Sequence, residues 1–144
     1  MSESTRQATR VSVITPVSAV LSATAAATAI WAVATMAGAA LTVSYAPGQP
    51  MKITVVNVVM AALVGSLAGW GLLGLLRRFT AKARAVWTVT AIVAALLSLG
   101  GPLSATASAG TKVSLVAMHL AVATVLIAVL RRTRAGRDHA GAEV

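Results

Sequence analysis

One ionisable side chain, His119, falls inside an uncharged run long enough to cross a membrane, and such groups mark functional sites by default because they are costly to place there. An imidazole in that setting can relay a proton or hold a ligand that reaches it from outside. His119 stands seven residues past Lys112, about 10 Å below the outer end of its run at 1.5 Å per residue. Asn57 and Ser98 also stand toward the outer ends of their runs, so a hydrogen-bonded group of Asn57, Ser98 and His119 lies within geometric reach. The plainer alternative is a neutral imidazole that ties helices together, worth about 1 kcal/mol as interhelical bonds go. No carboxylate is placed to hold a proton on the ring, because Glu3, Asp138 and Glu143 all lie outside the apolar runs. General acid–base and metal chemistry need converging Asp, Glu, His or Cys groups. The chain has no cysteine, and His139 stands in a polar tail, so no enzyme activity, metal site or cofactor is expected.

Ala61, Gly65 and Gly69 recur every four residues and so share one helix face, where small side chains let a neighbouring backbone approach closely. The stripe is expected to pack within one subunit; homodimerisation is the sharper alternative. Trp87 just inside a basic segment and Tyr45 on the other side fit the interfacial belt, where amphipathic rings settle. Trp31 and Trp70 stand deeper and are expected to fill space between Ala- and Gly-rich helices.

These side chains need elements to position them, and composition sets what kind. Hydrophobic residues make up 58% of the 144 positions, and charged residues only 10% against about 25% in a soluble domain. Mean hydropathy is +0.86. A span takes about 20 apolar residues, which predicts crossings over 17–41, 56–76, 85–101 and 113–130, flanked by polar tails 1–15 and 131–144. The fold class is therefore an all-α membrane protein, a four-transmembrane-helix bundle occupying 16–130. Thr15 and Pro16 read as the first helix start, since threonine caps an orphan amide and proline gives up an N–H without a partner. A cleaved signal peptide is the rival for the first run, with Ala25, Ala26 and Ala27 near a cleavage point, but signal cores stop at about 7 to 15 residues, and this run continues.

Between the first two runs the period changes to two. Leu41, Val43 and Tyr45 alternate with Thr42 and Ser44, and Met51, Ile53 and Val55 with Lys52 and Thr54, around Ala46-Pro47-Gly48-Gln49-Pro50. That is a hairpin signal, with an irregular loop as the alternative. A lone ribbon is marginal, so it should lean on the membrane surface or on the second external loop. Gly100-Gly101-Pro102 is expected to stop the third helix.

Of the 12 Lys and Arg, only Lys52 and Lys112 fall on the hairpin side; the others stand in the tails and in the segment Arg77 to Arg84. The positive-inside rule then places both termini in the cytoplasm and the hairpin outside, in an inner membrane whose anionic headgroups attract the basic segments. The net charge of +9 does not imply nucleic acid, which needs a basic face on a folded soluble domain.

At Leu67-Ala68-Gly69-Trp70-Gly71-Leu72-Leu73, Arg77-Arg78-Phe79-Thr80, Val86-Trp87-Thr88 and Met118-His119-Leu120-Ala121-Val122 the chain resembles a family of small actinobacterial four-helix membrane proteins of unknown function. The resemblance spans residues 17 to 130. It implies the same membrane topology and a high-GC bacterial source, and carries no activity or site.

The function expected first is non-enzymatic, acting through helix packing or association with a second copy or a membrane partner protein. The alternative is a small transporter or channel subunit with His119 in a polar cluster; an intramembrane enzyme is the weakest reading.

Overall fold

The computed structural model describes residues 3–132, with side-chain packing described for 16–130. Helix α1 runs Glu3–Met36, strand β1 Thr42–Ser44, strand β2 Pro50–Lys52, helix α2 Val55–Phe79, helix α3 Ala83–Ser98, the one-turn helix α4 Gly100–Ser104 and helix α5 Ala109–Arg132. Four segments are long and apolar enough to cross a membrane: Pro16–Met36, Val55–Phe79, Ala83–Ser104 and Ala109–Leu130. Helix α1 packs most extensively on α5 and α2, and α3 closes the far side of the bundle against the same two helices. Leu21, Val33, Met60, Val64, Leu75, Val89, Leu96 and Leu97 are among the large apolar side chains that face outward. A bundle apolar over so much of its exterior suits hydrocarbon rather than water, and points to a multi-pass membrane protein.

Three helix ends depart from expectation. Pro16 lies inside α1, not at its start. Upstream residues such as Glu3, Gln7 and Ala8 have good helix propensity, and the lost proline bond removes only one rung. At the other end α1 stops at Met36, short of 41. Gly38 takes a left-handed φ of +79°, while Gly38 N–H donates to Thr35 O (3.1 Å) and Ala39 N–H to Ala34 O (3.0 Å). This is the Schellman arrangement, which satisfies the last carbonyls and turns the chain. Hydropathy misses it because Ala37, Ala39 and Ala40 keep the run apolar. Third, Gly100-Gly101-Pro102 does not end its span. The helix breaks at Leu99 and resumes as α4, with Pro102 in the first turn, where a missing N–H costs nothing.

Helix α2 opens on a capping box: Thr54 Oγ1 accepts from Asn57 N–H, and Asn57 Oδ1 accepts from Thr54 N–H (2.9 Å). Helix α5 begins at Ala109, earlier than hydropathy suggests, because Ser108 Oγ accepts from Thr111 N–H (3.2 Å) and caps it.

The hairpin expected over 41–55 is present. Strands β1 and β2 pair antiparallel, Thr42 with Lys52, Val43 with Met51 and Ser44 with Pro50, and Gly48 takes φ +74° in the turn. Pro50 opens its strand, a position that tolerates a missing donor. The ribbon leans on the α4–α5 connection. Ser44 N–H donates to Thr106 O (3.0 Å) and Thr106 N–H to Ser44 O (2.9 Å), so β1 is paired on both edges. Val43 is fully buried against Ala105 and neighbours. Trp31 Nε1–H donates to Ile53 O (3.1 Å), joining α1 to the end of the ribbon. Lys112 Nζ donates to Leu103 O (3.2 Å), placing a cation where a helix end carries partial negative charge.

Two apolar clusters stack along the bundle. The one at the hairpin end holds Ala27, Val43, Val58, Ala62, Ala105, Leu115 and Met118. The one at the Arg77–Arg84 end holds Ala19, Ala23, Leu73, Trp87, Leu126 and Leu130. Val122 touches both.

Candidate functional site

The interior does not fill. Because α2, α3 and α5 present Ala and Gly where larger residues would meet, a cleft of about 670 Å³ remains between them, open along the flank where Ala61, Gly65, Ala94 and Ser98 are exposed. Ala61, Gly65 and Gly69 from α2, and Ala91, Ala94 and Ala95 from α3, form its facing walls. A Cβ placed on Gly65 would meet nothing within 4 Å, and one on Gly69 would meet only the Trp87 ring at 3.9 Å. The close backbone contact expected at the stripe is therefore absent at Gly65. Small residues permit close packing but do not compel it, and here the space they leave stays open.

The cleft has a floor at one end. Trp87 is only 3% exposed, and its Nε1–H donates to Gly69 O at 2.7 Å, crossing from α3 to α2. Trp87 is thus a buried plug rather than an interfacial anchor, since the indole N–H finds an acceptor inside and its rings fill the gap left by glycine. Leu72, Leu126 and Ile127 line the same end. Trp70, expected to fill interhelical space, is 39% exposed and faces outward instead. At the other end Tyr45, Gly101 and Pro102 complete the lining, with Tyr45 Oη 3.9 Å from where a Gly101 Cβ would stand.

Asn57, Ser98 and His119 all line this one cavity. They do not hydrogen-bond to one another. Asn57 Oδ1 is engaged by Thr54, from its N–H at 2.9 Å and its Oγ1 at 2.6 Å. Ser98 Oγ donates to Ala95 O (2.7 Å), and His119 Nδ1 stands 2.7 Å from Leu115 O. Each side chain bonds within its own helix or helix cap instead. His119 also sits deeper than expected: α5 starts at Ala109, which puts the ring about 15 Å along the helix at 1.5 Å per residue.

The cavity as a whole escapes sequence reading. Its signal was present in the coincidence of the α2 stripe with Ala91, Ala94 and Ala95 on α3, but that pattern equally describes tight packing. Among the described residues no group of three His, Cys, Asp or Glu side chains could hold a metal ion, and His139 lies outside the described residues.

A model for a family of unknown function, DUF6069, matches residues 6–136. No curated protein and no solved structure matches the chain.

Proposed function

Because this chain belongs to DUF6069, a family of unknown function, we propose its role from its own geometry: a non-enzymatic membrane protein that binds a lipophilic small molecule between α2, α3 and α5. The observation that carries this reading is the cavity of about 670 Å³, inside the range of roughly 300 to 1,000 Å³ typical of small-molecule sites, with apolar walls and few polar groups. A second copy or membrane partner bound elsewhere on the bundle is compatible with this role and is not required by it.

The orientation belongs to the same proposal. Lys52 and Lys112 stand at the hairpin end, while Arg77, Arg78, Lys82 and Arg84 gather at the Trp87 end, so the positive-inside rule puts the floor and both termini toward the cytoplasm of a bacterial inner membrane. The Tyr45 end of the cleft then lies toward the outer leaflet. Anionic headgroups are the expected neighbours of the basic end.

The test uses Trp87 as reporter. A brominated ten-carbon alkane added to the protein in nanodiscs should quench fluorescence in a saturable phase, and Gly65→Leu, which extends a side chain into the space, should remove that phase. Quenching that only rises linearly with alkane, in wild type and variant alike, sinks the reading.

A further inference from the structure

Resting on the cavity's role as a binding site, the hydrogen-bond state of its lining specifies what kind of guest it takes. Leu115 O can only accept, so His119 Nδ1 carries the hydrogen in the 2.7 Å contact between them. In a neutral ring that leaves a lone pair on Nε2, and no hydrogen bond to Nε2 exists among the described residues. Two hydroxyls of the same lining are similarly committed. Ser98 Oγ–H is given to Ala95 O at 2.7 Å, and Thr90 Oγ1–H to Val86 O at 2.9 Å. What His119, Ser98 and Thr90 offer is therefore lone pairs, while the donors of the same lining, Asn57 Nδ2 and Tyr45 Oη, give no hydrogen bond among the described residues.

A guest that satisfies His119 Nε2 must supply a donor, and one that also accepts suits Asn57 and Tyr45. A cationic donor is excluded by charge, because no Asp or Glu occurs between residues 16 and 130 and an unpaired charge in this setting costs several kcal/mol. Carboxylates, phosphates, ketones, quinones and ethers bring only acceptors and would leave the His119 lone pair unsatisfied. A neutral hydroxyl fits. Below His119 the wall of α5 continues eight residues to Ile127, about 12 Å of depth, lined by Val122, Ala123 and Leu126 and ending on Trp87.

We propose that His119 Nε2 accepts a hydrogen bond from the hydroxyl of a neutral lipophilic alcohol, whose apolar body lies between α2, α3 and α5 toward Trp87. Binding is thereby selective for alcohols over ethers and alkanes of equal size, and the selectivity resides in one nitrogen.

The probes are 1-decanol, 1-methoxynonane and decane, each displacing the brominated alkane from wild-type protein in nanodiscs at matched mole fraction in the lipid. Decanol should displace at about five- to tenfold lower mole fraction than the ether, the ratio one hydrogen bond supplies. With ¹⁵N-labelled histidine and His139→Gln to leave a single signal, the His119 Nε2 resonance should move upfield with decanol and stay put with the ether. His119→Phe should erase the preference while leaving saturable quenching in place. Equal displacement by decanol and ether, or an Nε2 resonance that decanol does not move, overturns the assignment to His119 and leaves the cavity reading standing. The wild-type spectra decide this even if His119→Phe fails to fold. Absence of any saturable quenching overturns both.

Discussion

Trp87 and Gly69 meet across the α2–α3 interface, with the indole N–H donating to the glycine carbonyl at 2.7 Å and the ring occupying the space a larger residue at 69 would fill. Trp87→Phe removes the donor and keeps most of the ring, so it should cost about 1 kcal/mol. Trp87→Ala also empties the floor, for roughly 3 to 5 kcal/mol. Thermal unfolding in detergent should rank wild type above Phe above Ala; equal midpoints for Phe and Ala would deny the ring its role as a plug.

Ser66 gives the opposite sign. Its hydroxyl is fully buried on α2 and has no hydrogen-bond partner among the described residues. A buried hydroxyl left unsatisfied costs about 1 to 3 kcal/mol, and alanine is the better helix former. Ser66→Ala should therefore raise the unfolding midpoint, by the equivalent of roughly 1 kcal/mol. A lowered midpoint would mean that the hydroxyl is satisfied after all.

Gly38 isolates a backbone effect. An added Cβ meets nothing within 4 Å, yet φ is +79°. Gly38→Ala then carries only the left-handed penalty, about 1 kcal/mol, with no steric part. Unfolding of the variant should show this loss and Gly38→Asn should recover part of it, since asparagine visits that region more readily. Alanine as stable as glycine would remove the Schellman turn as the reason α1 stops.

Topology can be read with single thiols, because the chain has no cysteine. Gly48→Cys in the hairpin turn should react with an impermeant reagent added outside intact cells. Ala81→Cys and Ala140→Cys should react only after permeabilisation. Ala81 is chosen because it is exposed, whereas Ala83 is buried and would label poorly on either side. Reaction of Gly48→Cys and Ala140→Cys from the same side would contradict the positive-inside assignment.

Much of this was legible without coordinates. Uncharged runs locate four apolar segments, because in hydrocarbon every backbone group must be satisfied within its helix, and charge is the part of the sequence that cannot follow. The alternation around Pro47-Gly48 locates the ribbon. Hydropathy is blind, however, to conformation and to direction. It carries α1 through Gly38, where only a φ value marks the end. It cannot tell that Trp87 faces inward and Trp70 outward, since both suit an apolar run equally. The group of Asn57, Ser98 and His119 was found as a set of neighbours around one space, but not as a network, because whether side chains touch depends on helix separations that small residues leave undetermined.

The seam between Ser44 and Thr106 has a consequence for biosynthesis. The first strand leaves the ribosome long before its second edge has anything to pair with, and the partner is made only after two further helices have been threaded into the bilayer. Until then β1 has a single paired neighbour, β2, and Val43 lacks the Ala105 side of its pocket. Maturation of that end therefore finishes late, once Thr106 is available to seal the outer edge of β1.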